Sequence, residues 1–268
     1  MSSASFDTAA QILVDMRVRA EGAGVIDDLP LPCRPKDLMD AYEIQRRLRL
    51  PLSRLGMGEQ VGWKIGCTTP VMQDYLKIPH PCAGTLYERT LFQEQATLRA
   101  HDFYTLGLEC EIAVRLGIGL PERVGLYSAP DMAHAVESVM ASIEIVEHRF
   151  ADFRTASVAS MIADDFFSWG CVLGEPVAPS ALPELSRLHG GFSVNGQSPV
   201  ETGLGEAILG HPLTALAWLA DHAARLGTPL EAGQVVTLGS VVKTIYPQPE
   251  QIISAQFNHL PPATVTVT

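Results

Sequence analysis

The sequence predicts an α+β protein, a mixed, strand-rich domain with an N-terminal helical segment packed on it. Two observations carry this. Helical periodicity fills the stretch from about Phe6 to Leu55, whereas from Val61 onward short β-like runs follow one another between glycines and prolines. Those runs do not alternate regularly with helices, which speaks against a doubly wound nucleotide-binding fold. The 22 glycines and 19 prolines agree, since they imply many turns rather than a long bundle.

In chain order, DTAAQILVDMRVRAEGAG is expected to be helical, with Asp7 as its N-cap and a Gly-rich stop. DDLPLPCRPKD is a Pro-rich connector. DLMDAYEIQRRLRLPLSRLG is a second helix, with Leu38, Ala41, Ile44 and Leu48 on one face and arginines on the other. A boundary is expected at residue 60, with a helical segment over 1–60 and the main domain over 61–268. VGWKIGC, GTLYERTLF and EIAVRLGIGL then read as strands, and DMAHAVESVMASIEIVEHRF as a helix. GCVLGEPV, GGFSVNGQ, VVTLGSVVKTIYP and ATVTVT are further strands, interrupted by the helix HPLTALAWLADHAARLG, which Pro212 can open as its first residue. Val194-Asn195-Gly196-Gln197 is a tight-turn signal, because Asn-Gly accepts the positive φ such a turn demands.

Composition removes several functions. Hydrophobic residues at 47% and charged ones at 18% describe a globular chain with a sizeable core. A net charge of -11 lacks the positive field that holds a phosphate backbone, so no nucleic-acid partner is expected. No apolar run approaches the roughly 20 residues of a membrane-spanning helix, and MSSASFDTAA has no basic region followed by an apolar stretch. Neither a membrane association nor a secretory signal is therefore expected. Five scattered cysteines, none in CxxC spacing, argue against a disulfide framework or a cysteine-built zinc site. A reducing, cytoplasmic location is the expectation.

Glu109-Cys110-Glu111 opens a strand, and residues two apart on a strand share a face. The two carboxylates either face solvent at a sheet edge or repel unless a proton or cation lies between them, for which Mg²⁺ or Mn²⁺ has the right oxygen preference. Glu144 sits in the apolar run ASIEIV, where a buried carboxylate needs a partner. Lys64, between Gly62 and Gly66, either faces solvent or stabilises an enolate or carboxylate that the glycines let approach. His211, before Pro212, is equally open to a structural reading. Gly117-Ile118-Gly119 lacks the third glycine of a dinucleotide fingerprint, and no GxSxG, Walker A or HExxH motif is present.

Taken in order, DAYEIQRRL, VGWKIGCTTPVMQDYL, GTLYE, LECEIAVRLG, ASIEIVEHRF, IADDFFSWG, LGHPLTALAWLA and LEAGQVVTLGS make the chain similar to the fumarylacetoacetate hydrolase superfamily. Within it they resemble the branch of 2-keto-4-pentenoate hydratases, 2-oxohept-3-ene-1,7-dioate hydratases and 4-oxalocrotonate decarboxylases. The resemblance implies that superfamily's fold for residues 61–268. It also implies a metal site in which the E-x-E falls on Glu109 and Glu111 and the third acid on Glu144. The Lys of G-x-K-x-G falls on Lys64, a catalytic and substrate-binding position. The Ala-Asp of A-D-N falls on Ala163-Asp164, which makes Asp164 a catalytic candidate. The Gly-Ser of the dioate hydratases falls on Gly239-Ser240, as substrate-binding positions, with Lys243 where a basic residue is usual.

The departures bear on the reaction. Cys82 stands where many hydratases carry an acid, Asp165 replaces the Asn, and Leu260-Pro261-Pro262 replaces a Gly-rich turn. Phe166, Phe167 and Trp169 enlarge a stretch that is smaller in many relatives and are expected to narrow the pocket. Cys82 is a poor acid at neutral pH unless its pKa is perturbed, with His148, Asp164 or Asp165 as stand-ins.

The activity implied is a Mg²⁺- or Mn²⁺-dependent hydratase (a lyase) of aromatic-compound catabolism, acting on a small 2-oxo acid or 2-hydroxydienoate. The alternatives are 4-oxalocrotonate-type decarboxylation, which Cys82 strengthens, C–C hydrolysis of an acylpyruvate, or a non-catalytic partner subunit. Adjacent residues point apart, which weighs against Glu147-His148 as a water-activating pair. Homo-oligomerisation, and a complex with a related decarboxylase or hydratase, are further implications of the resemblance.

Overall fold

A computed structural model describes residues 1–199 and 201–268. Its helices are α1 (Ser3–Arg17), α2 (Leu38–Leu52), α3 (Pro70–Leu76), α4 (Ala129–Ala135), α5 (Val158–Ala163) and α6 (Pro212–Arg225). Its strands are β1 (Gln60–Gly66), β2 (Cys82–Tyr87), β3 (Leu91–Gln93), β4 (Gln95–Leu98), β5 (Leu106–Leu116) and β6 (Val136–Glu147). The remaining six are β7 (Ser168–Leu173), β8 (His189–Val194), β9 (Thr202–Leu204), β10 (Val235–Ser240), β11 (Ile252–Phe257) and β12 (Leu260–Val267). The α+β expectation holds, with α3, α5, β4, β9 and β11 added to what was read.

The strands form a seven-stranded sheet, ordered β2-β1-β10-β5-β6-β7-β3, and a five-stranded sheet, ordered β4-β12-β11-β8-β9. β6 lies between β5 and β7 in the first sheet and packs against β11 and β12 of the second. This placement corrects the expectation of a helix over 131–150. Only the opening of that stretch is helical, as α4, where Ser128 and Asp131 form a capping box. The chain then extends through Val136, Val139, Ile143, Ile145 and Val146, whose β-branched side chains suit a strand. Nearly every residue of β6 is buried, so the alternation that identifies a half-exposed strand is absent.

The N-terminal helices share the same apolar core as the sheets. The cap of α1 is Ser2, which accepts from the Ser5 amide, and not Asp7, which pairs with Arg47 at 2.5 Å. Asp37 caps α2, and Ala41, Ile44 and Leu48 are buried along one face as read. From that face Gln45 donates to the carbonyls of Ala83 (2.8 Å) and Ile162 (2.9 Å), tying α2 to β2 and α5. The Asn195-Gly196 turn forms with φ of 51° and 75°, the double left-handed conformation expected of it. No helix is long and apolar enough to cross a membrane among the described residues, and all five cysteines are buried and free.

Candidate active site

β5 presents Glu109 and Glu111 on one face, and the β5–β6 register sets Glu144 opposite Glu109. The three side chains offer carboxylate oxygens that all lie within 4.8 Å of one another. Two oxygens on opposite sides of one ion lie about 4.0–4.2 Å apart for Mg²⁺ and about 4.6–5.2 Å for Ca²⁺, so carboxylates this close can share a single cation. Glu111 and Glu144 are fully buried, yet among the described residues Glu111 Oε1 and Glu144 Oε2 have no partner and Glu144 Oε1 meets only the Lys64 ammonium. Buried carboxylate oxygens without donors are costly, and a divalent cation would satisfy them together. The remaining oxygens are oriented: Thr244 Oγ1 donates to Glu109 Oε1 at 2.5 Å, and the Gly239 amide to Glu111 Oε2 at 3.1 Å.

Lys64, on β1, reaches the cluster with Nζ 3.0 Å from Glu144 Oε1, in a buried ion pair that leaves Glu144 Oε2 without a partner among the described residues. Burial works against its charge, but Glu144 first, then Glu109 and Glu111, raise its pKa above the ordinary value. Burial likewise pushes Glu111 well up, assisted by the charges of Glu144 and Glu109. It raises Glu144 against the pull of Lys64, with Glu109 adding to the rise. Three carboxylates against the single Lys64 ammonium leave two negative charges uncompensated when all are ionised, which is why burial and mutual repulsion push Glu111 and Glu144 up.

Glu109 and Glu111 of the cluster, with Lys64, line the polar end of a cavity of about 650 Å³, and Glu144 lies buried behind them. Lys64, Glu109, Glu111, Ser240, His148 and Tyr246 line that end, and Met161, Phe153, Phe166, Phe167, Val71 and Tyr75 contribute apolar wall. The glycines flanking Lys64 make room for protein: a Cβ on Gly62 would fall 2.1 Å from the Val235 carbonyl oxygen, and one on Gly66, which also lines the cavity, would fall 2.7 Å from the Phe166 ring. Gly239 has φ +122°, open to glycine alone, and this turns its amide onto Glu111. Ser240 lines the cavity but already donates toward the carbonyls of Val242 (2.7 Å) and Cys110 (3.2 Å).

Asp164 is placed differently from its expected catalytic role. It is fully buried and does not line the cavity; its carboxylate takes Arg17 Nε at 3.0 Å and Arg149 Nε at 2.7 Å. Asp165 takes Arg17 at 3.0 Å and the Thr85 amide at 3.0 Å. Asp165, Phe166 and Phe167 have φ of 52°, 47° and 68°, three successive left-handed residues that would not persist unsupported. The arginine-bound aspartates flank this turn and hold it, and the turn delivers Phe166 and Phe167 to the cavity. Phe166 also lies under the Lys64 ammonium, 4.8 Å from ring centroid to Nζ. Trp169 instead packs on Phe92 and Phe103, away from the cavity.

The other candidates separate cleanly. Cys82 is fully buried, does not line the cavity and has its thiol pushed well up by burial and by Cys67, so it cannot act as the missing acid there. His211 caps α6 through the Leu213 amide and bonds Glu184, a structural role. Glu147 turns to Arg19 and Arg149, both at 2.9 Å, while its neighbour His148 lines the cavity. Lys243 lies at the exposed rim. Thr244 and Tyr246 were not singled out from sequence, although VVKTIY continues the period-two pattern beyond Gly239-Ser240.

Two mixed sheets and an N-terminal helical layer give the chain a fold similar to that of fumarylacetoacetate hydrolase family proteins. No family model matches the chain. The 2-keto-4-pentenoate hydratase of Paraburkholderia xenovorans (strain LB400) is 34% identical over 223 residues, covering 82% of this chain and 80% of that protein. The chain belongs to the 2-keto-4-pentenoate hydratase family. In fold it is similar to 4-oxalocrotonate decarboxylase from Pseudomonas putida G7 complexed with magnesium and adipate, at TM-score 0.89 and 22% identity, covering 100% of this chain and 99% of that one. Fumarylpyruvate hydrolase from Pseudomonas aeruginosa in complex with Mn²⁺ and pyruvate shares it at TM-score 0.61 and 11% identity, covering 77% and 88%.

Proposed function

We propose that this protein is a divalent-metal-dependent hydratase that adds water to a 2-hydroxy-2,4-dienoate. The observation that carries the reading is the close cluster of Glu109, Glu111 and Glu144, with Glu111 Oε1 and Glu144 Oε2 buried and unpartnered among the described residues, beside Lys64 at the wall of one cavity. Glu109, Glu111 and Glu144 would hold Mg²⁺ or Mn²⁺, which supplies Lewis acidity toward the carboxylate and 2-oxygen of a bound 2-oxo acid. Lys64 brings a fixed positive charge to the oxygen on which enolate charge develops. Thr244 and Gly239 hold Glu109 and Glu111 in their ligating orientation. Phe166 and Phe167 exclude water from the side of the cavity they form, and Asp164 supports their turn rather than touching substrate.

The hydratase relatives support water addition as the outcome. The segment 1–60 serves as a helical buttress to a catalytic domain over 61–268, and the working form is a homo-oligomer. The test is purified protein with Mn²⁺ and 2-hydroxypenta-2,4-dienoate. Loss of the dienol absorbance without CO₂ release supports hydration. CO₂ release from 4-oxalocrotonate would replace it with decarboxylation, and turnover of neither substrate would leave a partner-subunit role.

A further inference from the structure

Ketonisation of a dienol needs a proton donor at carbon, and neither Cys82 nor Asp164 faces the cavity. Tyr246 does. The segment after β10 is pinned to β5 by reciprocal hydrogen bonds between Ile245 and Leu108, at 2.9 and 3.0 Å. Thr244 and Tyr246, on either side of Ile245, therefore share the face of β5 that carries Gly107 and Glu109. Thr244 bonds Glu109 directly, and Tyr246 lies over Gly107, where a Cβ would sit 3.5 Å from its ring and 2.7 Å from Val146. Gly107 and Glu109 are two residues apart, so Tyr246 stands roughly 7 Å along the strand from the triad. This is the length of a short dienoate.

His148 approaches the phenol from the other side. Its Nε2 shares a hydrogen bond of 3.1 Å with Tyr246 Oη. The imidazole is held by Phe153, Phe167 and Tyr246 at centroid distances of 5.3, 4.9 and 5.7 Å. Its Nδ1 is buried with no partner among the described residues. An orphaned N–H costs more than a bare ring nitrogen in such a place, which selects the tautomer protonated at Nε2. His148 then donates to Tyr246 Oη, and the phenolic hydrogen is free for the cavity.

We infer that Tyr246, positioned by His148, is the proton donor of this site toward the distal carbon of the dienol; the inference rests on the hydratase reading. The phenolic O–H breaks as a C–H bond forms at C5, and the double bonds shift to give the 2-oxo-3-enoate. The phenolate is stabilised by His148 Nε2–H, and the proton lost from the enol hydroxyl restores the phenol through solvent. Water then adds its oxygen at C4 and a proton at C3, so the enzyme ends unchanged.

The test compares wild type, Tyr246→Phe, His148→Phe and the double variant on 2-hydroxypenta-2,4-dienoate with Mn²⁺. Tyr246→Phe should lower kcat about a hundredfold, the scale of one lost general acid, with KM changed less than threefold and Mn²⁺ affinity unchanged. His148→Phe, which keeps the aromatic packing, should lower kcat about tenfold. The double variant should be no slower than Tyr246→Phe, because His148 acts through the phenol. Wild-type turnover with Tyr246→Phe within twofold of it overturns the inference alone, as does a double variant in which the two losses multiply. Absence of wild-type turnover overturns the hydratase reading and this inference with it.

Discussion

Replacing Asp164 by Asn separates its two possible roles. The side chain is wholly buried between Arg17 and Arg149, at 3.0 and 2.7 Å. The variant keeps the shape and removes the charge, leaving two buried guanidiniums with less compensation. Removing one member of a buried ion pair costs about 3–5 kcal/mol. Arg17 retains Asp165 at 3.0 Å and Arg149 retains Glu147 at 2.9 Å, so the lower end applies, about 3 kcal/mol. For 268 residues the unfolding entropy is roughly 0.6 kcal/mol per kelvin, and Tm should fall by about 5 °C. Thermal unfolding followed by circular dichroism measures this, alongside kcat at a temperature where both proteins are folded. The expected result is a lowered Tm with kcat within threefold of wild type. An unchanged Tm with kcat reduced a hundredfold would refute the structural assignment and return Asp164 to the reacting groups.

Lys64→Met keeps most of the side-chain volume and removes the charge; kcat should fall at least a hundredfold, the scale of a lost electrostatic stabiliser, as steady-state kinetics would show. Phe166→Ala opens the cavity beside Lys64 and should lower the kcat/KM advantage of short dienoates over longer ones, measured by direct competition. His211→Ala removes the cap of α6 and should cost about 1 kcal/mol in a denaturant titration, with kcat unchanged. Burial first, then Arg225 and His80, lower the His222 pKa to about 4. The folded state therefore resists a proton that the unfolded state binds near pH 6.5, the ordinary value. This contribution to stability is full above pH 6.5 and lost as pH falls toward 4. His222→Phe, which keeps an aromatic ring stacked on Trp218 and edge-on to Tyr42, should flatten unfolding free energy against pH over that window.

That Glu109 and Glu111 share a face was legible because strand periodicity is strict once β5 is recognised; that this face suits a metal came from the family resemblance. Glu144 was legible as an acid in an apolar run, but its partner depended on register across β5 and β6, which local pattern does not specify. The same burial hid β6 itself, since a strand covered on both faces loses its alternation and its Met, Ala and Glu residues suit a helix equally well. Signals for α3 and β11 were present and went unread. Thr69-Pro70 is a cap followed by proline at the first helical position, and β11 alternates buried with more exposed residues. Asp164 and Tyr246 were illegible for a different reason. Their roles are set by Arg17, 147 residues away, and by His148, 98 residues away, separations that no local pattern reports.

In the proposed site Glu109, Glu111 and Glu144 hold one divalent cation beside Lys64. Titration of the metal-free protein with Mn²⁺, read by the loss of the free-ion paramagnetic resonance signal, tests it directly. One ion bound per chain, with the affinity reduced at least tenfold in Glu111→Gln, is the predicted result. No saturable binding, or binding that Glu111→Gln leaves untouched in a folded protein, would contradict it.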